Sequence, residues 1–147
     1  MSVYFLIKTE RQPSGLNITD NLRLEILSKN LLPKFFTDAG KSYFYFLDGE
    51  LNYRLISEPK NGASMDEVFN YKFQTERNER FKAVLQWISA EVRAGNRVSV
   101  IRQIETANDE EREEYNSIYE TKSISLESIS KLCTDIAFDF NTEYIFE

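Results

Sequence analysis

The stretch Ser42-Tyr43-Phe44-Tyr45-Phe46-Leu47-Asp48-Gly49-Glu50-Leu51-Asn52-Tyr53-Arg54-Leu55-Ile56-Ser57 carries the clearest local signal in this 147-residue chain. Two β-prone runs flank Asp48-Gly49, a pair favoured in two-residue type I′ turns because both central positions need positive φ. Such a turn sets Phe46 opposite Leu51, Phe44 opposite Tyr53 and Ser42 opposite Leu55 on one side, which reads as core. The other side holds Tyr43, Tyr45 and Arg54 and is half-polar and tyrosine-rich. It is a candidate binding surface, since tyrosine and arginine are common contact anchors. A hairpin here points to an antiparallel sheet.

Upstream, Val3 to Thr9 is a β-rich run, and Glu10 to Gly15, with Pro13 and Gly15, is a loop. Asn17 to Leu32 fits two patterns. Leu22, Ile26 and Leu27 suit a helical face, whereas Leu22, Leu24 and Ile26 suit strand alternation. The abundance of Leu, Arg, Glu and Lys favours helix. Pro33 ends the segment or starts a short turn.

Downstream, Glu58 to Asp66 is a loop, and Val68 to Gln74 reads as a strand with Phe69, Tyr71 and Phe73 on one face. Glu76 to Ala94 is an amphipathic helix, because Phe81, Val84, Leu85, Ile88 and Val92 recur at helical spacing. Thr75 is the expected N-cap and Gly95 the expected C′ residue. Val98 to Ile104 is a strand. Glu105 to Glu120 is a loop or an exposed helix, Ser125 to Leu132 a short helix capped by Ser125, and Thr134 to Phe140 an alternating strand. Asn141 to Glu147 continues as a strand or returns as a hairpin. The expected fold class is therefore α+β: a mostly antiparallel sheet of five to six strands with two to three helices on one face, in one domain over residues 1–147.

Composition narrows the chemistry. The chain has no histidine, and Cys133 is its only cysteine. No Ser-His-Asp or Cys-His nucleophile system can be assembled, no disulfide closes within the chain, and the common zinc ligand sets are missing. The apolar runs are too short to span a bilayer. Residues Met1 to Lys8 lack a basic leader and a small-residue cleavage site and read as a first strand, so a cytoplasmic protein is expected. No catalytic residue, metal or cofactor is assigned.

Charge is distributed unevenly. The chain carries −6 in total. From Glu105 to Glu120 there are seven acids (Glu105, Asp109, Glu110, Glu111, Glu113, Glu114, Glu120) against Arg112 alone, so this segment holds all of it. Between Lys72 and Arg102 seven bases face three acids. Two outcomes are open for the acidic run: a solvated segment folded back on the basic region, or a docking surface for a cationic partner, with Tyr115 and Tyr119 as anchors. A net negative protein is a poor direct ligand for nucleic acid. Other constellations are weaker. Asp135 and Asp139 share one side of a predicted strand and, with Glu105, are the carboxylates an enzyme reading would use. Trp87 lies one residue off the helical stripe and caps the core edge or protrudes as an anchor. Asn108 to Glu111 lacks the spacing of a calcium loop.

In general character an acidic, histidine-free α+β chain of this size is similar to the immunity proteins that bacteria make against polymorphic or contact-dependent toxins. The resemblance carries no shared motif and transfers no residue roles. It implies a basic partner, a cognate toxin or nuclease. The charge map, rather than the resemblance, assigns the covering surface to Glu105, Asp109, Glu110, Glu111, Glu113, Glu114, Tyr115 and Tyr119 and argues against direct nucleic acid contact, and the short apolar runs argue against a membrane. The alternatives are a carboxylate-based small-molecule enzyme and a phage-encoded inhibitor that imitates nucleic acid.

Overall fold

Strand β1, Ser2–Thr9, lies between two antiparallel neighbours, β5 (Ser42–Leu47) and β6 (Val98–Glu105). These coordinates come from a computed structural model that describes residues 2–19, 22–27, 42–47, 58–131 and 137–147. Alternation within β1 explains its central place. Phe5 and Ile7 enter the main core, Leu6 enters a smaller cluster on the opposite face, and all three are fully buried. A strand buried on both faces reads as a nearly continuous apolar run, as Val3 to Ile7 does.

The six-stranded sheet has the order β4-β5-β1-β6-β8-β7. β4 (Glu25–Ile26), β5, β1, β6 and β8 (Thr142–Phe146) pair antiparallel in turn. β7 (Glu120–Ile124) pairs parallel with β8, and α4 (Leu126–Ser130) lies on the chain between them. The fold is α+β, as the residue pattern predicts. Four helices are described, with α1 at Met65–Phe73, α2 at Thr75–Arg93 and α3 at Asp109–Asn116. Phe81, Val84, Leu85 and Ile88 of α2 are buried against Phe5, Ile7, Val98, Val100, Tyr144 and Phe146. Phe138 sits at the centre of this core, with ring centroids 5.2 Å from Phe81, 5.3 Å from Tyr144 and 5.7 Å from Phe5.

α2 ends as its Gly95 predicts. Gly95 has φ +83°, Asn96 N donates to Glu91 O, and Gly95 N donates to Val92 O, the paired bonds of a Schellman cap. The buried Glu91 carboxylate accepts from Ser14 N, Ser14 Oγ and Asn96 Nδ2, which fixes the Glu10–Gly15 loop to this helix end. Trp87 donates from Nε1 to Gly15 O at 3.3 Å and packs on the core edge.

Several expectations are overturned. The helix expected over Asn17 to Leu32 gives way, where described, to short strands: β2 (Asn17–Thr19) pairs with β3 (Leu22–Arg23), and β4 joins β5. Leu22 and Leu24 are buried while Arg23 and Glu25 are exposed, so strand alternation prevails over helix propensity. The strand expected over Val68 to Gln74 is instead α1 and its C-cap. Ser64 caps it by accepting from Glu67 N at 3.2 Å, with Asp66 and Glu67 in its first turn. Thr75 is not a cap. Only Gln74 separates α1 from α2, and Thr75 Oγ1 donates to Tyr71 O. The second half of the expected hairpin, residues 48–57, lies outside the described residues, as do Cys133 and Asp135. Among the described strands, β5 has β1 and β4 on its two sides.

Candidate protein-binding surface

α3 is built on β6 by polar side chains rather than by apolar packing. Its first turn is closed by Asn108, whose Oδ1 accepts from Glu111 N at 3.1 Å. Thr106 Oγ1 accepts from Asn108 N at 3.2 Å and donates to Glu111 Oε2 at 3.3 Å. Arg112 reaches back to Thr106 O and pairs with Asp109 at 3.2 Å. At the other end, buried Asn116 behaves as a substitute strand. Its Oδ1 accepts from Ile104 N at 2.8 Å and its Nδ2 donates to Ile104 O at 3.0 Å. Two buried backbone groups of β6 are thereby satisfied. Gln103 Nε2 adds a bond to Asn116 O at 3.3 Å.

The segment leaving α3 is held by Asn141, which has φ +61°. Asparagine is among the few residues other than glycine that adopt this left-handed conformation readily. Its Nδ2 donates to Glu114 O at 2.7 Å and Ser117 O at 2.8 Å, and its backbone carbonyl accepts from Tyr119 N and Glu120 N. Tyr115 rests edge-on against Phe140 at 5.4 Å, and the Arg102 guanidinium lies 4.4 Å from the centre of the Phe140 ring.

At 100° per residue, Asp109, Glu110, Glu113 and Glu114 occupy one arc of roughly 140° on α3. All four are exposed. Glu111 falls outside this arc, half-buried against Thr106. Among the described residues, Asp109 pairs with Arg112 within the helix, whereas Glu105, Glu110, Glu113 and Glu114 make no ion pair. Arg80 pairs with Glu76, Lys82 with Glu79 and Arg97 with Glu147. The last turn of α3 contains no basic residue, so Glu113 and Glu114 face the negative end of the helix dipole uncompensated. Burial pushes the Tyr4 hydroxyl pKa up, the Glu105 carboxylate at the end of β6 adds to the rise, and Arg112 pulls the other way. Tyr119 is 76% exposed and Tyr115 36%. The surface so formed is an exposed carboxylate arc, with exposed Tyr119 following three residues beyond the helix end.

Of the second candidate surface, Tyr43 and Tyr45 lie among the described residues. Tyr43 is buried with Leu6 and Ile101, and Tyr45 is half-buried with its ring edge-on to Tyr4 at 6.4 Å. The sheet is covered on both faces at this point, which the hairpin reading did not anticipate; Arg54 lies outside the described residues. Asp139 is exposed and accepts from Tyr144 Oη at 3.3 Å. A cleft of about 340 Å³ is lined by Lys8, Glu10, Arg97, Ser99 and Glu143, with neither Glu105 nor Asp139 in its wall. Lys8 and Glu143 pair across it at 3.0 Å. Phe73, expected on one face of a strand with Phe69 and Tyr71, is 91% exposed on α1. Asn116 and Asn141, which orient the acidic arc, were not singled out from sequence. Asn141 had a signal, an asparagine at the junction of two alternating runs; Asn116 had none. Among the described residues, no helix is long and apolar enough to cross a membrane. Comparison with protein-family models, curated proteins and solved structures finds no match for this chain.

Proposed function

We propose that this chain is a protein-binding domain of the immunity or inhibitor type, which neutralises a basic toxin or nuclease by covering its cationic surface with α3. The observation that carries the reading is the exposed arc of Asp109, Glu110, Glu113 and Glu114, two of them set against the helix dipole with no base in the last turn. Like charges held together raise encounter rates with a cationic surface and exclude acidic competitors. Tyr119 supplies a large amphipathic side chain three residues beyond the helix end, suited to desolvation at an interface. α3 is roughly 12 Å long, which suits a compact protein contact better than imitation of a nucleic-acid backbone. The enzyme reading draws no support from the described cleft, whose central charges neutralise each other.

The test is retention of host proteins on the immobilised chain, compared with a variant carrying D109N, E110Q, E113Q and E114Q. The native chain is expected to retain a basic protein whose association rate falls at least tenfold in the variant and loses most of its salt dependence, roughly the scale of electrostatic steering. Equal association with both forms would remove α3 from the interface.

A further inference from the structure

The end of β6 remote from α3 carries a site of a different kind. Phe5 and Ile7 of β1, Val98 and Val100 of β6, and Tyr144 and Phe146 of β8 turn into the core beneath α2. Alternation therefore sends Lys8, Ser99, Glu143 and Ile145 to the opposite face of the sheet. The register sets Lys8 beside Ser99 and Ser99 beside Ile145. Glu10 and Arg97 close the strand end, where Glu10 N donates to Arg97 O at 3.2 Å. These residues line the cleft of about 340 Å³, at the lower end of the roughly 300–1,000 Å³ typical of small-molecule sites.

Three polar groups of the cleft hold unused bonding capacity. Ser99 is 4% exposed, yet its hydroxyl makes no hydrogen bond among the described residues. Arg97 pairs with Glu147 through Nε at 3.2 Å, and its two terminal nitrogens make no hydrogen bond among the described residues. Glu143 pairs with Lys8 through Oε1, and its Oε2 accepts no hydrogen bond among those residues. A shielded hydroxyl without a partner is costly, and a ligand that supplies one removes the cost.

We infer that this cleft binds a small zwitterion, an α-amino acid with a short apolar side chain. The ligand carboxylate takes the terminal nitrogens of Arg97 and the Ser99 hydroxyl, its ammonium takes Glu143 Oε2, and its side chain meets Ile145. A guanidinium fork matches a carboxylate bidentately. Charge selects this class of ligand. Two bases, Lys8 and Arg97, and two acids, Glu10 and Glu143, line the cleft. A lone anion or a lone cation therefore meets as many repelling as attracting groups, whereas a dipolar molecule meets an opposite charge at each end. The Lys8–Glu143 pair, its side chains only 16% and 17% exposed, stays in place and fixes the Glu143 carboxylate. The α3 surface shares none of these residues, so the two readings stand or fall separately.

The test is titration of the full chain with L-alanine, followed by amide chemical shifts. Changes are expected around residues 8–10, 97–99 and 143–145, with a dissociation constant on the order of 1 mM for so small a ligand. N-acetylalanine and alaninamide each lack one charge and should bind at least tenfold more weakly, the scale of a lost charge-assisted hydrogen bond. Ser99→Ala and Arg97→Gln leave the Lys8–Glu143 pair untouched, and each should weaken alanine binding about tenfold. Arg97→Gln should also erase the preference for alanine over alaninamide, and Glu143→Gln the preference over N-acetylalanine. Thermal unfolding checks that each variant is folded, and the Ser99 and Arg97 variants decide the matter if Glu143→Gln is not. Absence of binding up to about 50 mM, far above the expected constant, overturns the proposal. So does a one-charge analogue or inorganic phosphate that binds as well as alanine, or an unchanged alanine affinity in both Ser99→Ala and Arg97→Gln.

Discussion

α1 and α3 are surface helices of nine and eight residues, each started by a side-chain cap and an acidic first turn, yet they are held in opposite ways. α3 is latched to the sheet by Asn116 at Ile104 and to the β8 approach by Asn141. Its outer face is thereby freed to carry charge. Among the described residues α1 has no such latch; it buries none of its own residues and shows three large apolar side chains to solvent. A helix anchored by buried hydrogen bonds can devote its exposed arc to recognition by charge. A helix without such bonds among the described residues leaves its apolar stripe in water.

The largest expected effect tests the latch. Asn116→Ala leaves the Ile104 N–H and C=O buried without partners, which should cost about 2–4 kcal/mol of global stability, measured by chemical denaturation. A loss under about 0.5 kcal/mol, the range of ordinary surface substitutions, would mean that α3 is not held in the way described. A smaller effect separates the two caps. Asn108→Ala should lower global stability by about 1 kcal/mol, because α3 is tied to the sheet. Ser64→Ala should cost a similar amount locally, seen as faster amide exchange in α1, with little change in the unfolding midpoint at low protein concentration. Equal shifts in the midpoint for both would erase the distinction between the helices. The smallest effect concerns the outer arc. Glu113→Lys with Glu114→Lys should stabilise α3 by about 0.3 kcal/mol per exposed site through the helix dipole, while removing affinity for a basic partner. A stability gain accompanied by lost binding would mark those two carboxylates as kept for recognition.

Much of the framework was legible in the sequence. The apolar spacing of Phe81, Val84, Leu85 and Ile88 and the glycine at 95 defined α2, and the β-rich run at Val3 to Ile7 defined β1. α1 was misread because Phe69, Tyr71 and Phe73 alternate like a strand. The competing signal was also present, since Ser64 and Glu67 stand at the spacing of a capping box and Met65, Phe69 and Phe73 at helical intervals. β7 carries the run Glu120-Thr121-Lys122-Ser123-Ile124, in which no apolar alternation announces a strand. Its pairing with β8 comes from tertiary contact. The clustering of carboxylates was visible as composition, but their division into an exposed arc and an inward-turned Glu111 depends on where Asn108 starts the helix. The part played by Asn116 is a contact between residues 12 apart and left no local trace.

The final turn of α3 has a consequence for how a complex would behave. Its carbonyls and the carboxylates of Glu113 and Glu114 crowd negative potential into one spot, and Ser117 Oγ and Asn141 Nδ2 relieve two of those carbonyls. An ammonium group arriving from outside would act as the missing C-terminal counter-ion. Docking and rigidification of the helix end would then be one event, legible as slowed deuterium uptake confined to residues 113–117.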